Sequence, residues 1–376
     1  MRIEEVDQHH VRVTFVWPRP DAQVSMRAQV FDDPNALSHP MQRVGDEWQL
    51  SAIVRKDAVF TYQFIVDDPF LDADTTDLNK LAQLMAEARG RSFADPANPH
   101  RIFPQAAVIA GATEAPPENW DSVAIMPDAE PMDWFDGPAP NLTTHTCGGR
   151  QITVYQPIHE ERDVPFCLTM PLVVLLDGEC WPRVANLHTA IDTLIKRNEL
   201  GLATVAFVHN TGGPAERFAE QTCSEDFANH LADEIVPFLQ NHYSTEEVII
   251  GGDSLAGLAA THAAFTRPDV FNAVISTSGS HWWGKQVDGE PEWLTRQIAA
   301  APKKPLRFWV DVGDLETGVS DDYAPGVDQR AANRHLRTVL QAKGYDVAYH
   351  EAPGGHDFAT FRRSTIKGLL HFLGAK

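Results

Sequence analysis

A mostly parallel β-sheet with helices on both faces, preceded by a small all-β sandwich, is the architecture this sequence predicts. Three observations carry the prediction. Residues 10–70 hold short runs of alternating apolar and polar residues, the period of half-buried antiparallel strands. From residue 150 onward, apolar strand-like runs alternate with helical stretches, the pattern of a parallel sheet whose crossover helices cover both faces. Finally, Val-Ile-Ile-Gly-Gly-Asp-Ser-Leu-Ala-Gly at 248–257 passes abruptly from an apolar run into small, helix-forming residues.

The alternating runs lie at 11–17, 24–30, 47–53 and 60–66, separated by Pro, Asp and Asn. Their length and spacing predict a small Ig-like antiparallel sandwich. A helical segment follows around 76–95, then a Pro/Ala/Glu-rich stretch with no clear period. The predicted limits are therefore a β-sandwich domain at 1–105, linker and interdomain packing at 106–145, and an α/β domain at 146–376. In the last of these, 171–176, 202–208, 306–312 and 346–352 read as strands, and 226–239 as a helix.

The turn at Ser254 has the layout of a nucleophile elbow, in which a sharp strand-to-helix bend exposes a serine hydroxyl above a sheet. The full pattern is Gly-x-Ser-x-Gly; here Ala256 holds the last position, one methyl larger. An α/β-hydrolase keeps its histidine in a loop after a late strand, and Pro-Gly-Gly-His-Asp at 353–357 supplies His356 there. The chain order Ser–acid–His then asks for a carboxylate between the two. Glu316, three residues after Gly313, is the first choice; Asp314 and Asp321 are alternatives. A serine hydroxyl is a poor nucleophile at neutral pH, so His356 must take its proton while the acid fixes the imidazole tautomer. The oxyanion needs two backbone donors: the Leu255 N–H, and the Glu179 N–H in the loop after 171–176. Gly178 is expected to let that loop approach substrate.

Composition narrows the alternatives. Hydrophobic content of 43% and nine tryptophans mark a globular chain, and a net charge of −21 argues against nucleic acid or an anionic membrane as partner. No run of about 18 apolar residues is present, so membrane insertion is not expected. The first ten residues lack the apolar core of a signal peptide, which points to the cytoplasm. Cys147, Cys167, Cys180 and Cys223 are spaced as isolated thiols, and the sixteen histidines form no metal-ligand motif.

Six segments in order, Asp-Gly-x-x-Trp at 177–181, Arg217-x-x-Glu220-Gln221, Gly252-x-Ser254-x-Ala256-Gly257, Ser-Thr-Ser-Gly-Ser-His-Trp-Trp at 276–283, Gly313-x-x-Glu316 and Gly-Gly-His-Asp at 354–357, resemble the enterochelin esterase family. Gln221 stands where the family pattern has Leu, and Ala256 where it has Gly. The N-terminal segment is similar to the family's amino-terminal domain at residues 13–17, Pro40-Met41, Trp48, Tyr62-Gln-Phe64 and 95–99, so the resemblance spans almost the whole chain.

That resemblance implies hydrolysis of a tricatecholate trilactone siderophore, of the enterobactin or bacillibactin type, as its iron complex. Iron would enter only as part of the substrate, and no resident cofactor is implied. Trp181, Trp282 and Trp283 offer stacking surfaces for flat catechol rings. Arg217, oriented by Glu220, is the expected cation for the trianionic ferric complex, ahead of Arg183 and Lys285. Two other readings remain open: a feruloyl or acetyl carbohydrate esterase with a sugar-binding N-terminal module, and a non-catalytic ferric-siderophore binder. No motif encodes an oligomeric state.

Overall fold

A computed structural model describes residues 1–31, 37–71, 73, 78–109, 111–131, 133–157, 169–317 and 328–375; Asp321 and Cys167 lie outside them. The chain divides into two compact units. The first is Met1–Pro131 with two later returns, Asp314–Gly318 and Pro353–Thr360. The second is Met132–Gly313, Val319–Ala352 and Phe361–Lys376.

The first unit is built from antiparallel strands: β1 (Arg2–Glu5), β2 (His10–Trp17), β3 (Val24–Arg27), β4 (His39–Pro40), β5 (Gln42–Val44), β6 (Glu47–Arg55), β7 (Val59–Val66), β8 (Ser92–Phe93), β9 (Arg101–Ile102) and β10 (Asp121–Ile125). They form two sheets, β1-β2-β6-β5 and β4-β3-β7-β10-β9, with β8 also on β7. Strand β2 shows why. Val11, Val13, Phe15 and Trp17 are buried while Arg12 faces solvent, so one side feeds a core shared with Met26, Phe60, Tyr62 and Phe64 of the other sheet. Residues 106–145 are not simply linker: β10 pairs with β7 in register Ser122 to Tyr62, and Gln105–Ile109 is a short helix. The strand escaped notice because Ser122 is fully buried, its Oγ accepting the Asp95 N–H at 2.8 Å, which breaks the apolar period.

In the second unit, β11 (Thr143–Cys147), β12 (Arg150–Tyr155), β13 (Met170–Leu176), β14 (Thr204–Val208), β15 (Thr245–Asp253), β16 (Ala273–Thr277), β17 (Arg307–Gly313) and β18 (Asp346–Ala352) form one sheet. Its order is β11-β12-β14-β13-β15-β16-β17-β18. Pairings β11–β12 and β12–β14 are antiparallel, and the rest are parallel. Every residue of β14 is buried, which is why this segment reads as a continuous apolar run rather than an alternating one. A mixed sheet with helices, as expected of an α/β-hydrolase-like fold, results. The C-terminal ends of β13, β15 and β16 lie along one edge of the parallel sheet, where open α/β sheets place their sites.

Candidate active site

Strand β15 ends at Asp253 and the helix Ser254–Thr266 begins at once. Ser254 adopts φ +55°, a left-handed conformation that costs a non-glycine residue on the order of 1–2 kcal/mol. The bend leaves no room beside it. A Cβ at Gly252 would lie 2.7 Å from the Ala256 Cβ, and one at Gly257 would lie 3.0 Å from both the Gly252 carbonyl oxygen and the Gly279 Cα. The fully buried Ala256 methyl occupies the space that Gly252 leaves empty, so this departure from the pattern is accommodated. Ala256→Gly is accordingly expected to keep kcat within about threefold while lowering stability by roughly 0.5–1 kcal/mol, read by ester turnover and urea unfolding.

The loop after β16 is held against this elbow. Ser280 donates its N–H to the Ser254 carbonyl at 2.9 Å, and the two hydroxyl oxygens are 3.4 Å apart. Ser278, at φ +47°, donates its N–H to Asp311 O at 2.6 Å. The Gln329 and Asn333 side chains donate to the carbonyls of Ser278 and Gly279, the latter at 2.8 Å. His281 is fully buried, with Nε2 2.9 Å from Ser276 Oγ. Much of the Ser-Thr-Ser-Gly-Ser-His segment thus packs behind Ser254.

Burial pushes the His281 imidazole down to about pH 3, and the buried His262 down to about 4. A depressed histidine favours the folded state fully above the unfolded value near 6.5. As pH falls from there toward 3–4, the unfolded chain takes up protons that the folded one refuses. Each group steepens the loss by up to about 1.4 kcal/mol per pH unit. Unfolding midpoints between pH 7 and 4 are expected to fall less steeply in His281→Gln than in the wild type.

Leu255, half-buried at the start of the elbow helix, is where the first oxyanion donor was expected. The loop after β13 differs in its details from expectation. Gly178 is required for close packing: a Cβ there would sit 2.3 Å from Phe207 C and 2.5 Å from Val208 N of β14. Its N–H goes to Val208 O, and the Cys180 N–H to Asp177 O, each within 3.0 Å, with the Glu179 N–H between them in sequence. Trp181 is fully buried and its indole N–H donates to Leu176 O at 2.7 Å, so it is core and no stacking surface. Trp283 is also core, edge-on to Trp293 with centroids 6.2 Å apart. Trp282 is only partly buried and keeps the amphipathic character the stacking role needs.

Arg217 lies beside a carboxylate, not beside Glu220. Its Nε is 3.0 Å from both Asp177 carboxylate oxygens and its Nη2 is 2.5 Å from Oδ2. Glu220 instead accepts from Arg150 at 2.6 Å. Burial works to raise the Asp177 pKa, but Arg217 and the hydrogen bonds outweigh it and hold the group below the ordinary carboxylate value. Arg217 therefore brings its charge already matched. Arg183 ends the short helix Cys180–Arg183, half-buried, and Lys285 opens the exposed helix Lys285–Asp288.

In the first unit, His356 Nδ1 donates to Glu316 Oε2 at 2.6 Å. The Glu316 side chain is only 2% exposed and the imidazole 31%. Asp314 is occupied otherwise, with Arg55 at 3.1 Å and the Gly354 N–H at 3.2 Å, so of the two described candidates it is Glu316 that pairs with His356. The Gly-Gly pair lets the His356 loop pack tightly: a Cβ at Gly354 would meet Thr360 Oγ1 and Val59 O, and one at Gly355 would meet the Gln29 side chain. Gln29 accepts the His356 N–H, and Asp357 accepts the Thr61 N–H at 2.9 Å. Sequence reasoning missed Gln29, Thr61, Asn210 and Ser280; they contribute through partners distant in sequence, and only Ser280 sat in a recognised motif.

Residues 150–372 match the Esterase family model, described as "Putative esterase". An iron(III) enterobactin esterase of Escherichia coli O6:H1 (strain CFT073) is 25% identical over 98% of this chain and 92% of its own length. The crystal structure of ferric enterobactin esterase from Salmonella typhimurium superposes with a TM-score of 0.78 at 21% identity, covering 98% of this chain and 95% of that one. The Shigella flexneri enterobactin esterase, crystallised in the presence of enterobactin, gives 0.76 at 22%, with the same coverage. At that identity the structural likeness is one of fold. With the family model matched over more than half its length, the chain belongs to the Esterase family, and it resembles iron(III) enterobactin esterases from end to end.

Proposed function

We propose that this protein hydrolyses the ester bonds of a tricatecholate trilactone siderophore, as its ferric complex, by acyl transfer to Ser254 and then to water. The observation that carries the substrate reading is the full-length similarity to an iron(III) enterobactin esterase, which extends beyond the α/β region through the N-terminal strands. The protein is a serine hydrolase acting on esters. In the proposed cycle Ser254 Oγ attacks the lactone carbonyl while His356 takes its proton, and Glu316 holds the imidazole in the tautomer that presents Nε2. The Leu255 and Glu179 N–H groups receive the developing oxyanion. His356 then returns the proton to the departing seryl or threonyl hydroxyl, and water repeats the sequence on the acyl-enzyme.

Two sheets sharing one core support an Ig-like description of the first unit, and the partly buried Trp282 ring, just after the Ser280 that is held to Ser254, supports stacking of a catechol. The triad chemistry requires no cofactor; iron arrives with the substrate. A cytoplasmic location goes with the proposed substrate; among the described residues no helix is long and apolar enough to cross a membrane. The reading is tested by a chromatographic time course with ferric and iron-free enterobactin and bacillibactin. Ring-opened products are expected from the wild type alone when it is run beside Ser254→Ala. No product from either trilactone overturns it.

A further inference from the structure

We propose that Gln221, where the family pattern has leucine, is a positioning residue that completes a side-chain clamp on the loop carrying the second oxyanion donor. The inference rests on the esterase reading and deepens it. Asp177, at the C-terminal end of β13, is held at φ +56° with its carboxylate almost wholly buried. A buried carboxylate in a left-handed turn needs donors on every side. Arg217 supplies two of them, Asn210 Nδ2 a third at 2.8 Å, and Gln221 Nε2 a fourth at 2.5 Å.

Asn210 ties this knot to the far side of Gly178. Its Nδ2 also donates to Glu179 Oε1 at 2.7 Å, and its backbone N–H to Glu179 Oε2 at 3.2 Å. Gln221 Nε2 also donates to Asn210 Oδ1, at 3.2 Å, and so orients the side-chain amide that bridges Asp177 and Glu179. The side chain is 1% exposed, and the carboxylate dictates which end of its amide faces Asp177. Together these contacts fix the residues on both sides of Gly178, the stretch from which the Glu179 N–H projects. A leucine at 221 would fill similar volume and donate nothing.

Arg217 belongs to the same clamp. Its Nε and Nη2 are engaged by Asp177 and its charge is paired there, so its main effect is on the loop rather than on recognition of the anionic iron complex. The two roles separate kinetically. A loop clamp acts on the oxyanion and is felt by every ester, charged or neutral, through kcat. A recognition cation is felt through KM, and only by the ferric complex.

The test is Gln221→Leu, with Asn210→Ala as a second variant should the first fail to fold, assayed on neutral p-nitrophenyl butyrate and on ferric enterobactin. Full loss of an oxyanion donor costs about 10²–10³-fold, so a loosened one is expected to lower kcat about tenfold on both esters. KM should hold within about twofold, and inhibition by a boronate that mimics the tetrahedral intermediate should weaken by about the same factor. An unchanged kcat, or a rise in KM confined to the ferric complex, overturns the proposal. Amide hydrogen exchange over 177–181 reads the clamp without substrate. It is expected to quicken in Gln221→Leu, and unaltered exchange also overturns the clamp. Fluorophosphonate labelling of wild-type Ser254 checks the esterase reading separately: absence of label sinks that reading, while the exchange result still judges the clamp.

Discussion

Ser254→Ala is expected to lower kcat for trilactone opening by about 10⁶-fold while leaving ferric-siderophore binding intact. The size of the effect follows from what the fold has invested at this position. A serine in the middle of a helix or strand needs no left-handed φ, and a chain under selection for stability alone would place glycine or asparagine there. Here β15 and the following helix meet at a non-glycine residue at φ +55°, with Gly252 and Gly257 kept bare so that the bend can close. The Ser280 N–H holds the Ser254 carbonyl, fixing the backbone behind the hydroxyl. Such strain persists only where surrounding contacts over-determine it, and it is typical of reacting groups. Alanine keeps the backbone and these contacts but removes the attacking oxygen, so binding and chemistry should part cleanly. Residual turnover is then limited to what oxyanion donors and binding achieve alone. Turnover within about a hundredfold of wild type would remove Ser254 from the role of nucleophile.

What the sequence made legible was local. The elbow could be read because a backbone bend dictates small residues at fixed offsets, and Gly252, Ala256 and Gly257 all sit where those offsets require. The Gly-Gly-His-Asp segment was legible for the same reason. Parallel strands declared themselves by burial on both faces, as in β13 and β14. Side-chain partnership was not legible. Arg217 and Glu220, three apart on one helix, invited an ion pair; yet Arg217 found Asp177, 40 residues earlier, and Glu220 found Arg150, 70 residues earlier. Tryptophans misled in the same way. Composition identifies a large amphipathic ring, but whether its face is presented depends on what the loop packs against, and Trp181 turned inward to Leu176 O. Strand β10 was lost because one satisfied buried serine is enough to erase a five-residue period.

Glu316→Gln is expected to lower kcat by about 10⁴-fold, less than loss of the nucleophile, with little change in KM. The argument turns on the proton at His356 Nδ1. That nitrogen is 2.6 Å from Glu316 Oε2, and the carboxylate is 2% exposed, so no bulk water stands ready to replace it. An ionised carboxylate can only accept, which forces the Nδ1–H tautomer and leaves Nε2 available as base. A glutamine amide of the same shape can donate instead, drawing the imidazole into the opposite tautomer. It also withdraws the negative charge that stabilises the imidazolium formed during attack. Asp314→Asn provides the contrast. Its carboxylate is engaged by Arg55 and the Gly354 N–H, and the asparagine oxygen can still accept the latter, so the change in kcat should stay within about threefold. If Asp314→Asn or Asp321→Asn proves the crippling substitution and Glu316→Gln the mild one, Glu316 is not the acid of the triad, and its pairing with His356 is structural.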